Sequence, residues 1–282
     1  MPAMSVRSLV ELFRSQPWDG DPRAMAQKIR RLSQFVALHG DKPIDELRPA
    51  DLHLWIISNP RWRSNWTRRN VLDQIHHPFA WAARLRVIAA DPFVGMSFPH
   101  GERGRPMTEQ EFQTLLDNTR NPQFRWVLWF MRRTGCRPGE AAGLQWAHVE
   151  FDRCCATFHG KTSRMTGRIR MLVFPPVVME MLAALRAVHK GRWVFLNCHG
   201  RQYRTATLDV MMSWVRKQAG ISPSCKLYGL RHRYGTEAIR RNIDIKTLSE
   251  LMGHTSVRTT EYYIHIAGRV DHLMGPATRA AE

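Results

Sequence analysis

A short segment about one third of the way along the chain most constrains its fold. Residues 99–106 read Pro-His-Gly-Glu-Arg-Gly-Arg-Pro, which places glycines, prolines and charged side chains next to one another. Such a composition is typical of a linker and interrupts regular secondary structure. The sequence therefore predicts one domain over residues 1–98, a linker over residues 99–106, and a second domain over residues 107–282.

The first domain has the spacing of apolar residues that is expected of helices. Apolar side chains recur at intervals of three and four residues from Val6 to Phe13, which indicates one buried helical face. Asp21-Pro22 places proline at the first position of the next helix, where it is well tolerated. We predict four helices: three over residues 5–15, 22–40 and 47–57, and a fourth that Ser64 or Asn65 could cap and that ends at Asp91-Pro92.

The second domain is predicted to be mainly helical with a small β element, so that the fold class of the chain is α+β. Thr108 and Glu111 form a capping box that starts a helix. Strands are predicted at Cys154–Phe158 and Arg168–Phe174, joined by a turn over residues 159–167. Further helices are expected over residues 124–133, 177–188, 206–219, 231–241 and 245–251.

The charge of the chain indicates a polyanionic partner. Lys and Arg total 42 and Asp and Glu total 24, which gives a net charge of +18. Neutralising phosphates releases condensed counterions, so a basic excess of this size favours nucleic acid. A basic surface kept for solubility is the alternative. The excess is spread over both predicted domains, which suits a clamp around DNA better than a single basic tail.

The remaining composition excludes several classes of protein. Five cysteines without C-x-x-C spacing fit a reducing compartment, and the 13 histidines show no zinc-binding spacing. No apolar run approaches the ~18–20 residues that span a bilayer, and the first residues do not resemble a signal peptide. We expect a cytoplasmic, nucleoid-associated protein that needs no metal and no cofactor and makes no membrane contact.

Two basic residues are candidates for phosphate chemistry, each with an ordinary alternative. Arg137 follows a Thr-Gly turn and could hold a phosphate with its planar guanidinium, or could pair with Glu140 three residues later. Lys161 lies in the turn between the predicted strands. It could deliver a proton into a groove or could be a solvated loop lysine.

Two later segments add anion-binding and nucleophilic side chains. Arg231 lies at the start of a helix, where unpaired N–H groups and the helix dipole favour a phosphate. Gly253-His254 ends another predicted helix, and Tyr262-Tyr263 follows it. A tyrosine pair is usually a packing feature, so these residues acquire meaning only from their order along the chain.

That order resembles the tyrosine recombinase family, also called the phage integrase family, over nearly the whole chain. Residues 134–140 are similar to the family's T-G-x-R-x-x-E box, and residues 228–232 are similar to H-x-L-R-H, with Tyr228 in place of the first histidine. Residues 252–263 are similar to L-G-H-x-S-x-x-T-T-x-x-Y and place the nucleophile at Tyr263. The resemblance implies a helical core-binding domain followed by a catalytic domain.

The resemblance also implies a role for each side chain. Tyr263 would form a 3′-phosphotyrosyl bond by type IB-like strand cleavage, and Lys161 would protonate the leaving 5′ oxygen. The groups expected to bind the phosphate are Arg137, Arg231, His254 and Tyr228. Glu140 and His232 would hold these groups in place. Tyr228 is a poor base because the pKa of a free phenol is about 10.

The implied function is site-specific recombination for integration, excision or transposition of a mobile element. The implied partners are double-stranded DNA with inverted-repeat sites and a homo-tetramer on two duplexes. A regulator that binds DNA on the same scaffold without catalysis is the alternative. A zinc-dependent nuclease is a third possibility, but the sequence lacks the clustered acidic and histidine ligands that such an enzyme requires.

One segment of the first domain is predicted to contact DNA. Its four arginines alternate with Trp62 and Trp66 and are Arg61, Arg63, Arg68 and Arg69. An amphipathic helix with a basic outer face explains the same pattern. Phosphate contacts there would position the protein without reading sequence.

Overall fold

The computed structural model describes residues 4–18, 21–100, 104–158 and 170–254, together with Thr260 and Tyr263. The chain forms two compact units, Met1–Arg103 and Gly104–Glu282. Each unit has its own hydrophobic core. The predicted fold class is confirmed, because the described residues are mainly helical and include one small sheet.

The first unit is built from helices whose starts are fixed by local capping. Ser5 caps α1, Asp21 caps α2 and Ser64 caps α4, each accepting a hydrogen bond from a backbone N–H of the first turn. Apolar stripes on these helices, together with Phe93, form the core. The helices are α1 (Val6–Arg14), α2 (Pro22–His39), α3 (Pro49–Ser58) and α4 (Asn65–Arg84).

The predicted end of α4 at Asp91-Pro92 is wrong. The helix continues through Pro78 and ends at Arg84, and Arg86 then adopts a left-handed backbone conformation. The side chain of Asp91 instead accepts a hydrogen bond from the backbone N–H of Phe93 at 2.9 Å. The Asp-Pro signal therefore marks a turn that directs the buried Phe93 into the core.

The second unit contains seven described helices and one antiparallel sheet. The helices are α5 (Glu109–Asp117), α6 (Pro122–Thr134), α7 (Pro138–Ala142), α8 (Pro176–Val188), α9 (Thr205–Gln218), α10 (Leu227–Arg240) and α11 (Ile245–Met252). The strands, in the order β1-β2-β3, are β1 (Val149–Glu150), β2 (Cys155–Phe158) and β3 (Arg170–Val173).

Pairing in the sheet fixes the position of the first residue of β3. Phe158 lies opposite Arg170 in the register of β2 and β3, and β3 also contacts α11. The predicted turn over residues 159–167 falls outside the described residues. Among the described helices, none is both long enough and apolar enough to cross a membrane.

Candidate active site

Polar groups from separate segments of the second unit meet in one cluster. The carboxyl end of α6 and the start of α7 supply Gly135 and Arg137, and the first turns of α10 supply Arg231. The carboxyl end of α11 supplies the backbone of Gly253 and, next to it, His254. Helix ends expose backbone groups that lack partners within the helix, so side chains of neighbouring segments can bind them here.

Arg231 is the most deeply buried cation of the cluster, with 2% of its surface exposed. Its guanidinium donates hydrogen bonds to the carbonyl oxygens of Gly135 at 2.6 Å and Met252 at 2.5 Å. Burial and the nearby charge of Arg137 lower the pKa of Arg231 to about 10, so it stays protonated at neutral pH. The arginine thus joins the ends of α6 and α11 and is held rigidly.

Arg137 makes the predicted pair with Glu140, with Nη1 and Oε1 2.7 Å apart. The same guanidinium also donates from Nη2 to the carbonyl of Gly253 at 2.6 Å. One third of the Arg137 side chain is exposed, so part of it faces solvent. The alternative of a simple ion pair and the alternative of a phosphate contact are therefore compatible in this geometry.

Glu140 is a buried carboxylate that stays ionised. Burial acts to raise its pKa, but the charges of Arg170 and Arg137 and the backbone N–H of Arg137 outweigh burial and lower the pKa. Nε of Arg170 lies 3.5 Å from Oε1 of Glu140. Among the described residues of the cluster, Arg137, Arg170 and Arg231 thus share the single carboxylate Glu140, which leaves an excess of positive charge.

His254 is fixed in one tautomer by its two neighbours. Its Nε2 lies 3.0 Å from Nη2 of Arg231, which can only donate, so Nε2 accepts. Nδ1 must then carry the proton and donate to Oγ1 of the buried Thr260 at 2.7 Å. Burial and the charge of Arg231 lower the pKa of His254 to about 4. The imidazole is therefore neutral at pH 7.

Tyr263 lies against this cluster with 3% of its surface exposed. Its ring stacks on His254, with centroids 6.1 Å apart and planes 13° apart, and lies 5.9 Å from the ring of His232. Tyr263 is also close enough to Arg231 to raise the pKa of that guanidinium. A Cβ added to Gly235 of α10 would lie 2.8 Å from the tyrosine ring, so the glycine makes room for it.

The remaining predicted site residues of the second unit are His232, Tyr228 and Lys161, and their positions differ. His232 is close to both Tyr228 and Tyr263, and burial followed by the charge of Arg231 lowers its pKa to about 4. Tyr228 is 48% exposed, and its ring centroid lies 6.3 Å from that of His232. No hydrogen bond joins the Tyr228 hydroxyl to the described part of the cluster. Lys161 lies outside the described residues.

The arginines predicted to contact DNA in the first unit are more open. Arg61 and Arg63 are exposed, whereas Arg68 and Arg69 are partly covered. Nε of Arg68 donates to the carbonyl of Trp62 at 2.9 Å. The two tryptophans of this segment differ in burial: Trp62 is buried in the core, whereas Trp66 is 70% exposed.

Comparison with known proteins assigns the family. A sequence model of the Phage integrase family matches residues 105–269, which is more than half of the chain. The chain therefore belongs to the phage integrase family of tyrosine recombinases, and this membership supports site-specific recombinase activity. A tyrosine recombinase XerD of Bifidobacterium longum is 26% identical over 268 residues, covering 86% of each chain. XerD of Neisseria meningitidis serogroup B is 27% identical and covers 88% of this chain and 87% of its own.

Solved structures show the same fold at low identity. A Tn1549 transposon integrase in complex with a circular intermediate DNA has a TM-score of 0.77 at 16% identity, covering 97% of this chain and 100% of its own. A lambda integrase tetramer bound to a Holliday junction has a TM-score of 0.74 at 12% identity, covering 93% and 78%. These likenesses confirm the architecture.

Three residues of the cluster had no role in the sequence prediction: Arg170, Gly235 and Thr260. Thr260 stood in a matched box, but the box did not say what its hydroxyl contacts. Arg170 was predicted only as part of a strand, and a charged residue in a strand usually faces solvent. A basic side chain at the end of a strand next to an otherwise apolar run was the signal available for Arg170.

Proposed function

We propose that this chain cuts and rejoins DNA through a 3′-phosphotyrosyl intermediate at Tyr263. The phenolic oxygen attacks the scissile phosphorus, the bond from phosphorus to the 5′ oxygen breaks, and the phenolic proton passes to a nearby base or to water. The 5′ oxygen leaves as a hydroxyl after taking a proton from Lys161. The reverse attack by a 5′ hydroxyl rejoins a strand, so the bond energy is conserved without ATP.

The observation that carries this proposal is the excess of positive charge beside a buried tyrosine. Arg137 and Arg231 are held by fixed carbonyls and a carboxylate before any DNA arrives. Preorganised cations stabilise the negative charge that develops on a transferring phosphoryl group without the cost of reorganisation. The stacking of Tyr263 on His254 within this field supports the proposal that Tyr263 is the nucleophile.

His254 has to gain a proton on Nε2 before it can donate a hydrogen bond to a phosphate oxygen. In the described arrangement its Nε2 accepts from Arg231 and has no proton to donate. An anionic phosphate nearby favours the charged imidazolium and raises the pKa. DNA binding would therefore allow Nε2–H to donate to a phosphate oxygen. Tyr228, exposed in the first turn of α10, would contribute a hydroxyl contact to the same DNA.

The biological setting that we propose is movement of a mobile element by integration, excision or transposition. Four copies of the chain would act on two duplexes at inverted-repeat sites. Support comes from the solved neighbours, one a transposon integrase on circular intermediate DNA and one a tetramer on a Holliday junction. Residues 1–98 would serve as the core-binding domain and residues 107–282 as the catalytic domain, joined by the linker over residues 99–106.

Covalent trapping tests the chemistry. The purified protein is mixed with nicked duplexes that tile the DNA flanking its gene, in buffer containing EDTA, and the products are separated on a denaturing gel. A nick beside the cleavage point lets the short 5′-hydroxyl fragment diffuse away, so that the adduct accumulates. Tyr263→Phe is the test variant, and Tyr262→Phe is the matched control.

An adduct formed by wild type and Tyr262→Phe and absent from Tyr263→Phe is the expected result. An adduct that persists in Tyr263→Phe would assign the nucleophile to another residue. If wild type binds these duplexes tightly yet forms no adduct at any nick position, the chain is a DNA-binding regulator on the recombinase scaffold and the proposal fails.

A further inference from the structure

We propose that Arg170 positions the phosphate-binding groups of the active site, as a residue that acts through Arg137 and His254. The inference rests on the proposed strand-transfer function. Arg170 is the first residue of β3, and 9% of its side chain is exposed. An arginine at the start of a strand commonly extends into solvent. The guanidinium of Arg170 is instead enclosed by three other segments of the second unit.

The first of these segments is the carboxyl end of α11. Nη1 of Arg170 donates to the carbonyl of Glu250 at 3.2 Å and to the carbonyl of Leu251. The carbonyl of Glu250 also accepts a hydrogen bond from the backbone N–H of Gly253 at 2.9 Å, and Leu251 lies in the last turn of α11, where carbonyls lack partners within the helix. Arg170 therefore fixes the direction in which the chain leaves the helix, immediately before His254.

The second contact is with the backbone of Gly253. This residue has φ +60°, and a Cβ added there would clash with Cδ, Nε and Cζ of Arg170. The arginine stem thus lies directly on the glycine backbone. The carbonyl of the same glycine accepts the hydrogen bond from Nη2 of Arg137. Arg170 thus packs against one side of Gly253, and Arg137 donates a hydrogen bond to its carbonyl.

The third contact is the shared carboxylate of Glu140. Nε of Arg170 lies 3.5 Å from Oε1, the same oxygen that accepts from Nη1 of Arg137 at 2.7 Å. Arg170 therefore links β3, α7 and α11 at the two points that orient Arg137. A lysine could keep the charge but could not reach all of these groups, since one ammonium lacks the planar spread of donors.

Loss of Arg170 is expected to misplace the phosphate-binding groups without removing any of them. A small displacement of groups at a reacting centre lowers a rate by up to about 100-fold. Arg170 also helps to keep Glu140 ionised, because its charge is the largest of the interactions that lower the pKa of that carboxyl. The other groups that face Glu140 are Arg137, Arg231 and Cys136. Without Arg170, Glu140 takes up a proton at higher pH.

The test measures single-turnover cleavage of a nicked duplex at saturating DNA, with DNA affinity measured separately. The variants are Arg170→Met and Arg170→Lys. The matched control is Arg153→Met, because Arg153 belongs to the same small sheet region but is 71% exposed. Each rate is recorded across a pH series, alone and in a Glu140→Gln background.

We expect cleavage to fall about 10- to 100-fold in Arg170→Met and about tenfold in Arg170→Lys, with DNA affinity within about twofold of wild type. The acidic limb of the rate profile should move to higher pH in Arg170→Met, and that movement should vanish in the Glu140→Gln background. Arg153→Met should behave as wild type.

Wild-type cleavage by Arg170→Lys would overturn the proposal, even if Arg170→Met failed to fold. An unchanged pH profile in a folded Arg170→Met with reduced cleavage would reduce the residue to a packing role and would also overturn it. If wild type itself formed no adduct, the proposed function would fail instead, so the two failures are distinguishable.

Discussion

Arg61 and Arg63 in the first unit are exposed to solvent, whereas Arg170 and Arg231 in the second unit are almost completely buried. Arg63 donates one hydrogen bond from its exposed side chain, from Nε to the carbonyl of Pro60 at 3.1 Å, and dissolved salt screens any interaction of such exposed side chains with phosphates. The buried pair is fixed by backbone carbonyls. Arginine side chains are thus open to solvent in one unit and rigidly held in the other.

Arg231→Lys changes one of the buried, rigidly held arginines and should have the largest effect. The lysine keeps the charge but cannot bind Gly135, Met252 and a phosphate together. We expect single-turnover cleavage to fall by about 100- to 1,000-fold, as for loss of one oxyanion donor, with DNA affinity little changed. Arg216→Lys is the matched control, because Arg216 is a partly buried arginine that also donates to a carbonyl. Cleavage near the wild-type rate in Arg231→Lys would show that rigidity is unimportant.

Gly235→Ala tests whether rigid placement extends to the nucleophile. The added methyl group would lie 2.8 Å from the ring of Tyr263, so the ring must move. We expect cleavage to fall by up to about 100-fold while DNA affinity and the far-ultraviolet circular dichroism spectrum stay unchanged. Gly191→Ala serves as control, since its nearest neighbouring atom is 4.0 Å away. Equal cleavage by both variants would contradict the packing of Tyr263 against α10.

Arg63→Ala removes one of the exposed arginines of the first unit and should have a smaller effect, on DNA affinity alone. Loss of one phosphate contact should weaken binding severalfold and reduce the slope of log affinity against log salt by about one unit. Cleavage at saturating DNA should stay at the wild-type rate. Arg14→Ala, at the exposed end of α1, should leave the slope unchanged. A slope that Arg63→Ala does not alter would remove this arginine from the DNA interface.

The smallest expected effect is a dependence of stability on pH that is specific to the second unit. His232 and His254 have pKa values lowered to about 4 from an ordinary value of 6.5. The unfolded chain therefore takes up protons first as the pH falls, and stability that is fully present above pH 6.5 is lost progressively toward pH 4. Thermal unfolding of His232→Gln should show a shallower loss than wild type over this range. An identical loss in both proteins would contradict the lowered pKa.

Much of the helical framework could be predicted from sequence because its signals are local. Asp21-Pro22 and the pair Thr108 and Glu111 announce helix starts through contacts within one turn. The end of α4 could not be predicted from Asp91-Pro92, because Pro78 is tolerated inside the helix and Asp91 caps a later turn. The two-residue strand β1 depends on its pairing with β2 and has no local signal.

The candidate active site could be predicted only through the resemblance of its motifs to those of a family. Motif spacing predicted Arg137, Arg231, His254 and Tyr263 as site residues, and the structure brings these four residues together. Arg170 and Gly235 depend on contacts with residues distant in sequence. No pattern along the chain encodes such contacts, so their part in the site emerged only from the fold.

Identification of the residue that becomes linked to DNA tests strand cleavage by Tyr263 directly. Wild-type protein trapped on a nicked duplex is digested with nuclease and protease, and the peptide that retains a nucleotide is sequenced by mass spectrometry. We expect a nucleotide linked through a phosphodiester to the phenolic oxygen of Tyr263, with the adjacent Tyr262 unmodified. A nucleotide on Tyr262, or on a serine or histidine, would contradict it.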